Sequence, residues 1–350
     1  MSDVIENLVR PNIRRLKPYH SARQDFLSGV LLDANENSLG TTAPTDGIAL
    51  NRYPDPFQRV LRERLAVLNG VSPDEVFVGV GSDEVIDLLV RIFCEPGQDN
   101  VILAEPTYGM YRVAAEIQNV EVRSVLLTDD FQPDVPALIG AVNDRTKLIF
   151  ACSPNNPTAN TLHREDILAL AGVRAVVVVD EAYWDFSSAP SLVAKIREMP
   201  NLVVMRTLSK AWGLAGIRLG YAVADAAIVQ WLMKVKPPYN INALTASAAL
   251  RALDNQKRKD EFVRNILVER AWLSEQLSAI PAVRMVFPSE TNFLLVRCTD
   301  ARRVYRTLAE QGIIVRDRSM EPKLENCLRV TVGTHEQNVR LIDAMRTIEP

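Results

Sequence analysis

The sequence predicts an α/β fold: a mostly parallel sheet covered by helices, preceded by an N-terminal arm and followed by a smaller α+β domain. Three observations lead there. From about residue 57 to 221, β-branched runs alternate with helical stretches, the βαβ rhythm of a sheet buried on both faces. At 350 residues the chain is long for one core, so two domains are expected. After Tyr221 the order changes to helices, then strand, helix, strand and a closing helix.

Residues 1–40 form the arm: a short helical pattern near 4–10, then Pro11 and Pro18, then LLDANENSLG. Tyr19 in PYHSAR and Tyr53 in NRYPDP are aromatics in proline-rich segments, read either as packing feet or as functional groups. PFQRVLRERLAVLNG is an amphipathic helix closed by Gly70. EVFVGV (75–80) is strand-like, and Gly81 leads into a helix with Ser82 as N-cap candidate and acids in its first turn. Strand runs follow at 100–106, 120–127, 146–157, 174–183 and 202–205. Residues 225–236 and 241–280 are helical, interrupted by Pro237-Pro238. The end of the chain reads RMVFPSETNFLLVRC, DARRVYRTLAEQG, IIVRD, CLRVTVGT and a last helix. The expected domains are therefore 41–250 and 251–350, with the boundary inside the long helical stretch.

Bulk composition excludes several function classes. Net charge is −3 with Lys and Arg scattered, so no nucleic-acid face is expected. The first twenty residues lack the apolar stretch of a signal peptide, and no run approaches membrane-spanning length. A cytoplasmic protein that avoids membranes is expected. The four cysteines lie far apart without a CxxC pair, which suggests buried free thiols. The three histidines share no ligand spacing, so no metal site is expected.

Function in such a sheet gathers at the carboxyl ends of its strands. The stretch 201–221, NLVVMRTLSKAWGLAGIRLGY, delivers Thr207, Ser209 and Lys210 to one such end and continues to Arg218. Serine and arginine can hold an anion, and a lysine there can form a Schiff base. A solvated lysine after a core strand would read the same way. Gly81-Ser82-Asp83 opens a helix whose amides can hold a phosphate, with the acids turned aside. Asn156 and Asp180 end two further strands, and Tyr183 follows. A carboxylate after Val-Val-Val-Val must either face solvent or find a cation or strong donor. A protonated pyridine nitrogen would serve.

At this point SPNNPT, DEAYWDF, TLSKAWGLAGIRLGY, KPPYNIN, TNF and CLRVTVGT, in this order, resemble the fold-type-I pyridoxal-phosphate aminotransferases. Within them PYHSAR, DANEN, RYPDP, GSDE and the arginines Arg316 and Arg329 are similar to the histidinol-phosphate aminotransferase family. The resemblance spans nearly the whole chain.

It implies pyridoxal 5′-phosphate as cofactor, in Schiff-base linkage to Lys210, which then shuttles the substrate proton. It further implies that Asp180 keeps the pyridine nitrogen protonated, with Asn156 and Tyr183 on the phenolate oxygen. Ser82, Asp83, Thr207, Ser209 and Arg218 would hold the phosphate, and Tyr108 would stack on the ring. Tyr53 would come from the partner of a homodimer. Tyr19, Asn156, Arg316 and Arg329 would bind substrate, an amino-group donor alternating with a 2-oxo acid. For Arg316 a surface ion pair with Asp317 is the competing reading. The implied reaction joins L-histidinol phosphate and 2-oxoglutarate to imidazole acetol phosphate and glutamate, in histidine biosynthesis. An aromatic or other 2-oxo-acid aminotransferase, and a threonine-phosphate decarboxylase, are the alternatives on the same fold. A cofactor-binding DNA regulator would need a basic N-terminal domain, for which the arm is too short.

There are two departures. Ala159 stands where the family's NPTG loop has glycine, so a type I turn rather than positive φ is expected. Trp212 stands where phenylalanine is usual and is expected to narrow the cofactor edge.

Overall fold

The computed structural model describes residues 2–43 and 47–349. It begins with helices α1 (Ser2–Leu8) and α2 (Pro11–Arg15). Ile5, Leu8 and Val9 are buried and join the core of the large sheet. The remainder of the arm is held by polar contacts. Arg23, itself buried, donates to Asp33 at 2.7 Å and to Glu36 at 2.6 Å, and Glu36 also accepts from Arg52.

Seven strands build the large sheet: β1 (Val76–Val80), β2 (Asn100–Glu105), β3 (Glu121–Leu126), β4 (Thr146–Cys152), β5 (Val176–Asp180), β6 (Leu202–Thr207) and β7 (Leu219–Ala224). Their order is β1-β7-β6-β5-β4-β2-β3. The run from β3 to β6 is parallel, as the sequence predicts. β7 is antiparallel to both neighbours and was not expected from the sequence. Its connection from β6, residues 208–218, holds only one short 3₁₀ turn, too little for the crossover that a parallel neighbour requires.

Alternation along the strands explains why these runs are apolar throughout. Val177, Val179 and Val204 face one core cluster, while Val176, Val178, Val203 and Met205 face the other. The covering helices are α3 (Arg59–Asn69), α4 (Gly81–Phe93), α5 (Met110–Ile117), α6 (Val135–Gly140), α7 (Arg164–Leu170), α8 (Ala226–Val235) and α9 (Ala243–Leu253). α3 closes on Gly70 at φ +66°, the left-handed cap that glycine provides.

The helical stretch 241–280 is broken at Asp254-Asn255, where α10 (Gln256–Ser278) begins. Beyond it come β8 (Val283–Val286), β9 (Phe293–Cys298), α11 (Ala301–Glu310), β10 (Arg316–Asp317), β11 (Cys327–Thr331) and α12 (His335–Arg346). The four strands form a second, antiparallel sheet in the order β10-β11-β9-β8. RMVFPSETNFLLVRC is thus two strands, not one, and IIVRD contributes only its last two residues. Helices α10 to α12 cover one face through Leu273, Leu277, Val304, Leu308 and Leu341. All four cysteines are buried and unpaired. No described helix is long and apolar enough to cross a membrane.

Candidate active site

β4 and β5 end in register, Cys152 beside Asp180, and β6 passes Asp180 at Met205 and runs two residues further to Thr207. The segments leaving them therefore open onto one edge of the sheet. The start of α4 lies on the same edge, because β7 brings Gly220 against it. A Cβ on Gly220 would stand 2.2 Å from the Ser82 amide nitrogen, so only glycine permits that approach. β10 and β11 of the small sheet close the other side.

A cavity of about 360 Å³ results. It is lined by Ser82, Asp83, Tyr108, Asn156, Asp180, Tyr183, Thr207, Ser209, Lys210, Arg218, Arg316 and Arg329. The structure brings these sequence-selected residues together within one chain. Cys152, Ala182, Ala215 and Arg318 line it too and were not singled out from the sequence. Arg318 could have been: it lies two residues from Arg316, on the same face of an extended segment. Its amide continues the ladder by donating to the Cys327 carbonyl at 2.9 Å.

Asp180 is almost fully buried and has no cationic partner among the described residues. Burial raises its pKa, and the Tyr111 hydroxyl and the Ala182 amide oppose that rise. Lys210 is shifted the other way. Burial and then the charge of Arg329 lower its pKa, which favours the neutral, nucleophilic amine. Its Nζ lies 5.4 Å from the centre of the Tyr183 ring. Burial pushes the Tyr183 and Tyr108 phenols up, so both remain hydrogen-bond donors near neutrality.

At the anion end, Arg218 caps its 3₁₀ turn at φ +54°, a strained conformation for a side chain of this size. Its Nη2 donates to Asp83 at 3.3 Å, and Tyr108 donates to the other Asp83 oxygen at 3.0 Å. Glu84 is turned aside onto the Val80 amide and Asn240, as expected. Asp83 is not: its carboxylate lies in the cavity wall, because the guanidinium and phenol there supply the charge and donor it requires. Thr207 accepts from the Ser209 amide at 3.1 Å and so fixes the turn into Lys210.

At the opposite end, Arg329 donates to Asn156 Oδ1 at 2.6 Å. Arg316 is paired with it in register across β10 and β11. Burial and then Arg318 lower the pKa of Arg329, so several cations crowd one wall. Only Arg318 has a carboxylate partner there among the described residues, Glu321 at 2.6 Å. The surface pairing of Arg316 with Asp317 is not observed.

Tyr19 and Tyr53 are not part of this chain's cavity. Tyr19 is 73% exposed in an irregular segment. Tyr53 stacks on Tyr239 at 4.5 Å, and its amide donates to Glu36 at 2.7 Å. The two departures also resolve differently from expectation. Ala159 does adopt positive φ, at +69°. Its methyl is fully buried beside Ala182, Tyr183 and Phe293, and its backbone bonds to Asn155 and Glu290, which together offset strain on the order of 1 kcal/mol. Trp212 does not narrow the cavity. It packs against the core below Lys259, whose Nζ is 5.5 Å from its ring.

Residues 28–345 match the family model for aminotransferase class I and II. The chain belongs to that family. This aminotransferase is 47% identical to the histidinol-phosphate aminotransferase of Cytophaga hutchinsonii, over 99% of this chain and 100% of the relative. Among solved structures it is similar to the histidinol-phosphate aminotransferase of Sinorhizobium meliloti in complex with pyridoxal-5′-phosphate. The TM-score is 0.79 with 26% identity, covering 90% of this chain and 89% of that one. L-threonine-O-3-phosphate decarboxylase from Porphyromonas gingivalis is also similar, at TM-score 0.73 and 26% identity, over 85% of this chain and 90% of that one.

Proposed function

We propose that this aminotransferase uses pyridoxal 5′-phosphate to exchange the amino group between L-histidinol phosphate and 2-oxoglutarate, yielding imidazole acetol phosphate and glutamate. It does so as a cytoplasmic homodimer, in histidine biosynthesis. The observation that carries this reading is the wall of Arg316, Arg318 and Arg329, facing the same cavity as Lys210 and Asp180. Two of those guanidiniums lack a carboxylate partner among the described residues, so the wall suits a ligand carrying two negative charges. A phosphate ester meets that need, and so do the two carboxylates of glutamate in the reverse half-reaction.

The residues present fit the cofactor. Asp180 is a buried carboxylate with acceptor capacity left over. At the other end, a Cβ on Gly81 would stand 2.7 Å from Arg218 Nη2, so glycine leaves that cradle open for an anion beside the α4 amides. Pyridoxal phosphate, when bound, supplies a carbonyl for the substrate amine and a ring that delocalises the electrons left when Cα loses its proton.

Every other task falls to the chain. Ser209, Arg218 and the amides of Ser82 and Asp83 hold the cofactor phosphate, with Thr207 fixing the turn. Asp180 holds a proton at the pyridine nitrogen. Asn156 and Tyr183 donate to the phenolate oxygen, and Tyr108 covers the ring face. Lys210 Nζ would hold the cofactor and, when free, would take the substrate's Cα proton. Its lowered pKa suits it to act as a base. Arg329, oriented by Asn156, and Arg316 bind the substrate anion. Tyr53 and Tyr19, exposed in the single chain, extend into the partner's site.

The deciding experiment compares kcat/KM for histidinol phosphate with that for phenylalanine. A strong preference for histidinol phosphate is expected, and preference for phenylalanine would overturn the substrate assignment. The likeness to the threonine-phosphate decarboxylase structure supports a second reading, which release of carbon dioxide without glutamate turnover would establish.

A further inference from the structure

Asp180 faces the cavity, but what holds it lies behind the wall. Tyr111, in the first turn of α5, is fully buried. Its hydroxyl donates to Asp180 Oδ2 at 2.7 Å, while the Ala182 amide donates to Oδ1 at 3.0 Å. Its ring is clamped in turn, stacked on Phe150 with centroids 4.7 Å apart and set edge-on to Tyr108 at 5.5 Å.

We infer that Tyr111 is a positioning residue that acts through Asp180. The inference rests on the pyridoxal-phosphate reading given above. A carboxylate has about four acceptor positions. One donor on each oxygen leaves acceptor capacity on both, and it prevents rotation about the Cβ–Cγ bond unless both hydrogen bonds break. The plane of the carboxylate is thereby set before any ligand arrives.

The same hydrogen bond sustains the charge. Burial disfavours an ionised Asp180, and the phenol opposes that. Burial also pushes the Tyr111 phenol well up, so its proton stays on the tyrosine and the carboxylate remains the acceptor. The ionised acid is then available for a protonated ring nitrogen. Because Tyr108 packs nearly perpendicular against the same ring, the group expected over the cofactor's face and the acid expected at its nitrogen share one support.

The test uses apoenzyme and two ligands: pyridoxamine phosphate, which cannot form an imine with Lys210, and its carbocyclic analogue with CH in place of the ring nitrogen. Tyr111→Phe removes one oxygen atom and keeps the ring packing. It is expected to weaken pyridoxamine phosphate about ten- to a hundredfold, the range for a hydrogen bond to a charged group, and to leave the carbocyclic analogue unchanged. In an Asp180→Asn background the same substitution should produce no further loss. The ratio of the two affinities is the quantity read, so a general loosening of the site cancels. Equal loss for both ligands, no loss for either, or a full additional loss on top of Asp180→Asn would overturn the inference. Wild-type protein that binds no pyridoxamine phosphate would instead remove the cofactor reading beneath it.

Discussion

Gly220→Ala is a substitution of one methyl group that should disable the cofactor cradle from behind. The new Cβ would lie 2.2 Å from Ser82 N, 2.5 Å from Gly81 C and 2.9 Å from Ser82 Cα, all backbone atoms. The nearest contact is short of ordinary van der Waals distance by about 1.2 Å. β7 cannot yield easily, because Gly220 is paired with Gly79 on one side and Thr207 on the other. The movement must fall on the Gly81-Ser82 turn, whose amides face the cavity. Overpacking of this kind costs about 1–3 kcal/mol of stability. Misplacing a positioning group by about 1 Å costs on the order of a hundredfold. Equilibrium titration of the apoenzyme with pyridoxal phosphate should therefore show affinity at least about tenfold weaker, with a lowered melting temperature. Gly216→Ala is the control: its Cβ would meet nothing within 4 Å, and it should stay within about 0.5 kcal/mol of wild type. A Gly220→Ala protein with wild-type affinity and melting temperature would refute the reasoning.

Other substitutions probe separate links. Lys210→Ala should remove the absorbance band of the cofactor–lysine imine together with turnover; an unchanged spectrum and unchanged turnover would contradict the lysine's role. Arg329→Gln removes a cation that lowers the Lys210 pKa, so that pKa should rise. The pH at which the apoenzyme half-maximally captures pyridoxal phosphate should move up with it, and a downward or absent shift would count against the electrostatic argument. Glu181 is buried and accepts from Arg206, Ser191 and the Leu192 amide. Glu181→Ala strands the Arg206 charge and should cost about 3–5 kcal/mol in chemical denaturation; a loss under about 1 kcal/mol would show the pair to be dispensable. Hydrogen bonding to Arg23 leads the effects that lower Glu36 from the ordinary carboxylate range to about 2. Its stabilisation is therefore present above the unfolded-state pKa and lost as pH falls toward about 2. Glu36→Gln should flatten acid denaturation in that window, and an unchanged acid limb would argue against a folded-state role.

What could be read in advance was what strand periodicity exposes. Asp180 stands out because it directly follows an apolar run, Asn156 and Lys210 because they lie just past the ends of two more, and parallel strands deliver such residues to one edge. β7 was hidden because LGYAVA follows the lysine loop with no intervening helix, and direction is set by connection length rather than composition. Tyr111 was hidden for a different reason. It lies three residues past Tyr108, and nothing in EPTYGMYRVAAEI tells which tyrosine faces the cavity and which stands behind it. Arg318 carried a signal in its two-residue spacing from Arg316. Ala159 misleads because alanine argues against positive φ, and the buried cluster around it, with Tyr183 and Phe293, is not visible in the sequence. Tyr19 and Tyr53 read in sequence as packing feet or functional groups and are exposed in the single chain, and a site shared between subunits leaves no periodic trace.

The most direct measurement is a single half-reaction: cofactor-loaded protein mixed with histidinol phosphate, without any 2-oxo acid. The expected result is one imidazole acetol phosphate formed per chain and one amino group retained, released as glutamate only when 2-oxoglutarate is added. No product, or product accompanied by carbon dioxide, would contradict the claim that Lys210, Asp180 and the arginine wall form one amine-transferring site.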